Sequence, residues 1–343
     1  MRIAFLPAVA AMALFMPSTA IGQRATPLFS SDAPLNLVIT APISNLMRNR
    51  AQPGTVSGTL ADASGTLPIS LSLRGITRRT SEVCDFAPLR VDFASPPPTN
   101  SVFSGQRRLK LVTHCGAGPG AQQYELLEYA AYRMYNQLTP RSFRVRLASI
   151  DYRDANGRPM MTRYGFFIED LKDVARRNGM NPSRAPNRIG LSLLNPMDSA
   201  RYALFQHMIA NHDWSMRAGP AGKACCHNAE LIGALTPGGV TPIPYDFDYS
   251  GMVGAPYAVP PAEMTLSTVK QRFFRGYCAH SSQIMAAAQQ FRAARAQIVG
   301  VLAQTPGLEP RTQSRAAGFL NGFFNDIATD RDVSAKVLKR CAA

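Results

Sequence analysis

Four polar residues in the second half of the chain have the types that metal-assisted phosphoryl transfer uses. Asp213 ends a helix-like segment in IANHDWS, Asn228 follows in CCHNAEL, and Asp246 and Asp248 flank a phenylalanine in PYDFD. In such a reaction one carboxylate accepts the proton of the attacking hydroxyl, while an amide oxygen and another carboxylate hold Mg²⁺ on the phosphates. The order Asp, Asn, Asp-Phe-Asp therefore favours this chemistry.

The PYDFD segment could instead be a surface turn with two solvated carboxylates. Its neighbours argue against that interpretation, because Pro244, Tyr245, Phe247 and Tyr249 supply more apolar surface than a solvated turn needs. An apolar, strand-like run leads into the segment. We therefore expect the two aspartates to lie in a semi-buried site at the end of a buried strand.

Two kinds of pattern precede and follow these residues. Residues 35–168 alternate in the manner of strands, with turn residues between them and one helical stretch at 120–138. Residues 169–343 are mostly helical by period, and the segment TPGLEP separates two of the later helices. The layout predicts an α+β protein with a sheet-rich lobe that carries one long helix, followed by a helical lobe. Residues 23–34 are expected to form a flexible lead-in.

The first 22 residues have the features of a secretory signal peptide. Arg2 supplies the positive end, an apolar run follows over residues 3–16, and Ala20-Ile21-Gly22 offers a small-residue cleavage site. The apolar run is shorter than the roughly 20 residues of a membrane span, although an uncleaved anchor is the alternative. The sequence therefore predicts an exported protein, periplasmic or extracellular, without a transmembrane anchor once the signal is removed.

Six cysteines lie in the mature part of the chain, and an even number in an exported protein favours disulfides. Although fifteen pairings are possible, we expect Cys84 to pair with Cys115 and Cys278 with Cys341. A zinc site at Cys225-Cys226-His227 is disfavoured, because adjacent cysteines do not match zinc-ligand spacing.

The net charge is +15, from 37 basic and 22 acidic residues. The basic residues are scattered and form no polybasic tract or nucleic-acid module. An ordinary solvated surface therefore explains the charge better than specific nucleic-acid binding, although an anionic ligand also fits.

Taken in order, several short motifs resemble those of the spore coat protein H (CotH) group of atypical protein kinases. They are Arg74-Gly75 after a strand, the helix at 122–138, YGFFIED at 164–170, NHD at 211–213, Asn228, and PYDFD at 244–248. The resemblance spans residues 35–275. It implies a two-lobed atypical protein-kinase-like fold, with a sheet-rich N-lobe at 35–168 and a helical C-lobe at 169–343.

The resemblance also implies a function. Asp213 would be the catalytic aspartate, Asn228 and Asp246 would bind Mg²⁺ or Mn²⁺, and Asp248 would support or share that role. Glu169 would lie at the hinge that faces the adenine of ATP. The expected reaction is phosphoryl transfer to a Ser/Thr-type hydroxyl, on a protein substrate.

The sequence offers more than one candidate for the basic residue that contacts the phosphates. Lys110, on a strand-like run, could pair with Glu128 on the helix, as a strand lysine pairs with a helix glutamate in protein kinases. Lys110 could equally be an edge-strand surface residue. Arg74 and Arg90 are alternative phosphate ligands, because a guanidinium pairs readily with phosphate oxygens.

A second functional hypothesis is a catalytically inactive, pseudokinase-like envelope protein that binds a partner or an anionic ligand. Two departures from the CotH pattern motivate it. The Asp213–Asn228 spacing is longer than the kinase catalytic loop uses, and Trp214 stands where the family has an arginine.

Overall fold

The computed structural model describes residues 25–52 and 54–342. The predicted signal peptide lies outside these residues. The described part divides into a β-barrel formed by the first half of the chain and a helical region formed by the second half, which also contains a two-stranded sheet.

Seven strands form a closed barrel in the order β1-β2-β3-β4-β5-β7-β6. Neighbouring strands are antiparallel except for β1 and β6, which pair in parallel from Leu35 opposite Ala148 to Thr40 opposite Arg153 and so close the barrel. The strands are β1 (Leu35–Thr40), β2 (Thr55–Asp62), β3 (Gly65–Leu73), β4 (Leu89–Phe93), β5 (Arg108–Val112), β6 (Val145–Arg153) and β7 (Pro159–Ile168).

The closed barrel shows that the predicted two-lobed atypical protein-kinase-like fold is wrong, although the mixed α+β class is consistent with the structure. The physical reason is the β1–β6 pairing, which joins strands more than a hundred residues apart. It removes the two free edges that an open sheet would have. The mainly antiparallel pairing of the individual strands agrees with the sequence pattern.

The barrel strands alternate because one face of each strand fills the interior. On three adjacent strands Leu71, Val91 and Leu109 lie opposite one another and are buried inside the barrel. Their even-numbered neighbours lie on the outer face. Leu28 and Phe29 of the predicted flexible lead-in also belong to this core, so that part of the lead-in is packed rather than free.

Helix α2 (Gln122–Asn136) packs its buried face against β6 and β7 on one side and the helical region on the other. It therefore belongs to the second core, which lies in the helical region. The remaining elements are the helices α1 (Ile43–Arg48), α3 (Leu171–Arg177), α4 (Pro196–Met208), α5 (Ser281–Ala293), α6 (Arg295–Ala303), α7 (Pro310–Asp326) and α8 (Asp330–Asp332), and the strands β8 (Ala229–Gly233) and β9 (Val240–Pro244).

Three disulfides cross-link the chain. The expected pairs Cys84–Cys115 and Cys278–Cys341 are confirmed, and the adjacent Cys225 and Cys226 are bonded to each other. The first pair fastens a loop to the strand end after β5, and the last ties the C-terminus to the start of α5. No helix in the described part of the chain is long and apolar enough to cross a membrane.

Candidate functional site

The structure brings Asp213 and Asn228 into direct contact. Asp213 lies shortly after the end of α4, and Asn228 immediately precedes β8. The Asn228 amide Nδ2 donates to Asp213 Oδ2 at 2.9 Å and to the Asp213 carbonyl at 2.7 Å. The long insertion between the two residues therefore loops out without separating them. The Asn228 side-chain oxygen is left available for a cation, because the contacts with Asp213 use its amide nitrogen.

His227 makes the closest contact with the Asp213 carboxylate. Its Nε2 lies 2.6 Å from Asp213 Oδ1. This hydrogen bond is the main cause that raises the pKa of His227, and the charges of Asp213 and Asp246 act in the same direction. An imidazole in this position fixes the orientation of the carboxylate. From the sequence, His227 was a candidate only as a zinc ligand, and nothing in the chain order indicated its contact with Asp213.

Three non-glycine residues of the described chain have left-handed backbone conformations, and all three belong to this region. They are Ala210, with φ 50°, Asn228, with φ 48°, and Asp246, with φ 63°. Such conformations are uncommon for residues with a side chain and cluster at functional sites, where the surrounding structure holds them. Two of the three are predicted metal ligands.

Asp246 and Asp248 follow β9, as the sequence predicted for the end of a buried strand. The backbone N–H of Asp246 donates to the hydroxyl of Tyr132 on α2 at 2.9 Å. Phe247 is buried between Tyr132 and Phe205 and anchors the segment between its two carboxylates. The prediction that PYDFD is semi-buried rather than a solvated turn is confirmed.

The two aspartates have different surroundings. Asp248 is buried and accepts a hydrogen bond from the Tyr257 hydroxyl at 3.0 Å. Burial, together with repulsion from Asp246, raises the pKa of Asp248 to about 7. Asp246 is half-buried, and its carboxylate has neither a hydrogen bond nor an ion pair within the described residues. The two carboxyl groups thus lie close enough to repel each other, and that of Asp246 has no partner among the described residues.

A buried ion-pair cluster lies behind Asp248. Arg78, on the short helical turn Thr77–Arg79, contacts Glu125 at 3.2 Å and Glu128 at 3.5 Å, and donates to the Thr113 carbonyl. All three charged side chains are at least nine-tenths buried. The Lys110–Glu128 pair considered from the sequence is therefore not formed, because Arg78 occupies that position. The sequence analysis missed Arg78 and Glu125.

The carboxyl group of Glu128 interacts both with Arg78 of this cluster and with the charges of Asp246 and Asp248. Burial raises its pKa well above the ordinary value, and the charge of Asp248 adds to the effect while Arg78 opposes it. One guanidinium thus faces two glutamates and the nearby Asp248. Burial and mutual repulsion therefore favour the protonated forms of these carboxyls, and a cation beside Asp248 would favour the ionised form.

Lys110 and Arg74 provide positive charge on the other side of the aspartates. Neither forms an ion pair within the described part of the chain. The Lys110 ammonium lies 5.6 Å from the ring centre of Tyr245, directly before Asp246 in the chain. Burial and the neighbouring charge of Arg74 lower the pKa of Lys110. These two cations therefore act on each other, while the charges of Glu230, Asp170 and Asp246 act on Lys110 in the opposite direction.

Glu169 lies outside this arrangement. Its side chain is fully buried and paired with Arg177 at 3.0 Å, and it also accepts the backbone N–H of Arg144 at 2.9 Å. Its own backbone N–H donates to the Arg144 carbonyl. The side chain and the backbone N–H of Glu169 are thus used within the protein, at the junction between β7 and α3.

The oxygen donors of the site fit a hard divalent cation. Within the described residues no three His, Cys, Asp or Glu side chains are already arranged around a metal position. Mg²⁺, however, commonly takes only one or two carboxylates from a protein and keeps water and phosphate oxygens as its other ligands. Asp246, Asp248 and Asn228 are the residues whose side-chain oxygens would contribute to such a site.

Comparison with known proteins gives no further assignment. No protein-family model matches the chain, and no curated protein matches it.

Proposed function

We propose that this protein is a phosphotransferase that moves a phosphoryl group from a Mg²⁺- or Mn²⁺-bound nucleotide, ATP, to a Ser/Thr-type hydroxyl on a protein substrate. The observation that carries the proposal is the contact of Asp213 with Asn228 beside Asp246, with two of the three residues held in left-handed conformations. The proposal rests on this site and not on the overall fold. The resemblance of the short motifs to the CotH group is part of the proposal.

Asp213 would accept the proton. Its carboxylate is held by His227 and Asn228 and remains about a third exposed, so an acceptor hydroxyl can approach it. As the hydroxyl oxygen forms its bond to the γ-phosphorus, the bond from that phosphorus to the bridging oxygen breaks, and the hydroxyl proton passes to Asp213. The nucleoside diphosphate leaves with the electron pair of the broken bond.

Asn228, Asp246 and Asp248 would hold the divalent cation, which would neutralise charge on the phosphates. Lys110 and Arg74 would contact phosphate oxygens from the barrel side, since neither forms an ion pair with a carboxylate in the described chain. Arg78 would act indirectly, by keeping Glu125 and Glu128 from repelling the phosphates. Arg78 is therefore a positioning residue.

The direct test is incubation with γ-labelled ATP and Mg²⁺ or Mn²⁺, in the presence of basic and acidic protein acceptors. Wild-type protein should transfer label, and an Asp213→Ala variant should lose transfer while it melts at nearly the wild-type temperature. Glu309→Gln is a matched control, because Glu309 is exposed and lies far along the chain at the start of α7. Undiminished transfer by the Asp213→Ala variant would refute the assigned role.

A second candidate function is nucleotide-independent binding of a partner or anionic ligand by a catalytically inactive protein. Two contacts favour it: both Asp213 oxygens already accept hydrogen bonds, and Trp214 is buried with its Nε1–H donating to Asn211. Under this alternative Mg-ATP leaves the melting temperature unchanged. A ligand at 100 times its dissociation constant would stabilise the protein by about 2.7 kcal/mol, so a clear rise in melting temperature would exclude it.

Export is proposed together with either function. The three disulfides fit a protein that matures in an oxidising compartment. Periplasmic and extracellular locations both satisfy this condition. Detection of the mature N-terminus after residue 22 in a secreted fraction would support export, whereas a full-length protein with free thiols in the cytoplasm would contradict it.

A further inference from the structure

A second basic site lies on the outer face of the barrel, apart from the aspartates. It is a cavity of about 380 Å³ whose polar lining includes three arginines, two hydroxyl side chains and one amide, namely Arg50, Arg79, Arg90, Thr55, Ser72 and Gln52. Among the described residues, no acidic side chain lines it. The charge of its lining is therefore positive, in contrast to the aspartate site.

The strand register explains how these residues meet. Thr55, Ser72, Arg90 and Lys110 lie directly opposite one another on β2, β3, β4 and β5. Directly opposed residues share one face of a sheet. Because Leu71, Val91 and Leu109 fill the interior, this row lies outside the barrel. Lys110 of the proposed nucleotide site and Arg90 of the cavity are thus neighbours on adjacent strands.

The arginines of the cavity are held to different degrees. Arg50 is fixed by the backbone carbonyls of Met47, Thr80, Cys84 and Asp85, which orient it without neutralising its charge. Arg90 uses its Nε for Asp92, and its terminal nitrogens remain free. Arg79 is exposed and forms no ion pair within the described chain. At least two guanidiniums can therefore present N–H groups to a ligand.

Ser72 adds an independent observation. It is only 7% exposed, and its hydroxyl is buried without a hydrogen-bond partner in the structure. An unpaired buried hydroxyl destabilises the folded protein relative to a paired one. A ligand oxygen in the cavity would satisfy this group.

A larger cavity elsewhere lacks these properties. It has a volume of about 560 Å³ and is lined by Arg133, Arg144 and Arg177, of which Arg133 is paired with Asp32 and Arg177 with Glu169. Asp32 itself lines this cavity. Among the described residues of the outer-face cavity only Arg90 is paired with a carboxylate, and that carboxylate, Asp92, is not part of the lining.

We propose that the outer-face cavity binds a tetrahedral oxyanion, as free phosphate or sulfate or as a phosphate or sulfate ester. Arg79 and Arg90 would donate to the anion, Arg50 would supply fixed positive charge, and Ser72 would donate its hydroxyl proton. Guanidiniums suit such oxygens because they offer paired N–H donors. The cavity is larger than one oxyanion, so an ester group has room beside it.

The test is calorimetric titration with inorganic phosphate, with sulfate and with a small phosphate monoester, at low ionic strength and with a chelator to remove divalent cations. Arg79→Gln and Arg90→Gln are suitable variants, because both side chains are substantially exposed and their replacement leaves the core intact. Arg315→Gln on α7 removes the same charge from an exposed position elsewhere.

Wild-type protein should bind one anion saturably, and each cavity variant should weaken binding about 10-fold or more, as expected for a lost charge-assisted hydrogen bond. The Arg315→Gln control should change affinity less than about 2-fold, because a distant exposed charge is screened. Tighter binding of the monoester than of phosphate would identify an ester as the ligand, and equal or weaker binding would identify the free anion.

Absence of saturable binding, or an equal loss in the Arg315→Gln variant, would overturn the proposal. An Asp246→Asn variant separates the two sites. With divalent cations chelated it should bind phosphate like wild type, whereas clearly tighter phosphate binding in this variant would place the anion beside the aspartates, where the lost carboxylate had repelled it, and would refute the second site. Failure of phosphotransfer with retained phosphate binding would refute only the proposed function.

Discussion

Replacement of Arg78 by glutamine should lower the free energy of unfolding by about 3–5 kcal/mol, the usual cost of leaving a buried charge without its partner. The guanidinium and both glutamates are at least nine-tenths buried, and Asp248 adds further negative charge nearby. Glutamine retains a donor for the Thr113 carbonyl but supplies no charge. For a chain of this length the loss corresponds to a fall of about 4–8 °C in melting temperature.

The amount by which Arg78→Gln lowers the free energy of unfolding, called its deficit below, should also depend on pH. Burial raises the pKa of Glu125 to about 7 in the folded protein, and Arg78 opposes the rise. A carboxyl whose pKa is higher in the folded than in the unfolded state stabilises the fold as pH falls from about 7 towards its unfolded value near 4.3. Without Arg78 the pKa rises further, so the deficit should be larger at pH 8 than at pH 5.

Thermal unfolding followed by circular dichroism, with a chelator present, measures both effects. Arg133→Gln is the matched control, because Arg133 pairs with Asp32, whose side chain is 72% exposed, and such pairs contribute at most about 1 kcal/mol. Equal melting temperatures for the two variants, or a deficit that is the same at pH 5 and pH 8, would refute the account of the Arg78 cluster.

Two further predictions concern stability. Burial lowers the pKa of His207 to about 3, so the folded state keeps it neutral while the unfolded state binds a proton below about pH 6.5. The free energy of unfolding should therefore fall by up to about 2.7 kcal/mol from pH 6.5 to 4.5. A His207→Gln variant should show a shallower fall. A pH profile of the melting temperature that is the same in the variant and in wild type would contradict this. Removal of the Cys278–Cys341 disulfide by a double serine substitution should cost about 4 kcal/mol, because it releases a 63-residue loop in the unfolded chain. Chemical denaturation would measure that cost, and a midpoint equal to wild type would count against it.

Local structure could be predicted well from the sequence. The strand-like pattern was predicted to begin at residue 35, where β1 begins, and α2 falls within the predicted helical stretch. Both follow from short-range alternation or helical period, which neighbouring residues determine. The barrel could not be predicted in this way, because its closure depends on Leu35 meeting Ala148 across more than a hundred residues.

The candidate site was predictable in part for the same reason. The aspartates in PYDFD stand out through their aromatic neighbours, and Asp213 and Asn228 through their order in the chain. Arg78 carried no comparable signal, because it is one of many scattered arginines and only the folded barrel places it beside Glu128. His227 was obscured by the adjacent cysteines, which suggested a metal site instead.

The most direct test of the central claim is calorimetric titration of Mg-ATP into wild-type protein and into an Asp246→Asn variant, with Glu309→Gln as control. The account predicts binding that requires the divalent cation, that weakens about 10-fold or more when the unpaired Asp246 carboxylate is removed, and that the control leaves unchanged. Mg-ATP binding of equal strength in the Asp246→Asn variant, or no binding to wild-type protein, would contradict a cation-dependent nucleotide site at these aspartates.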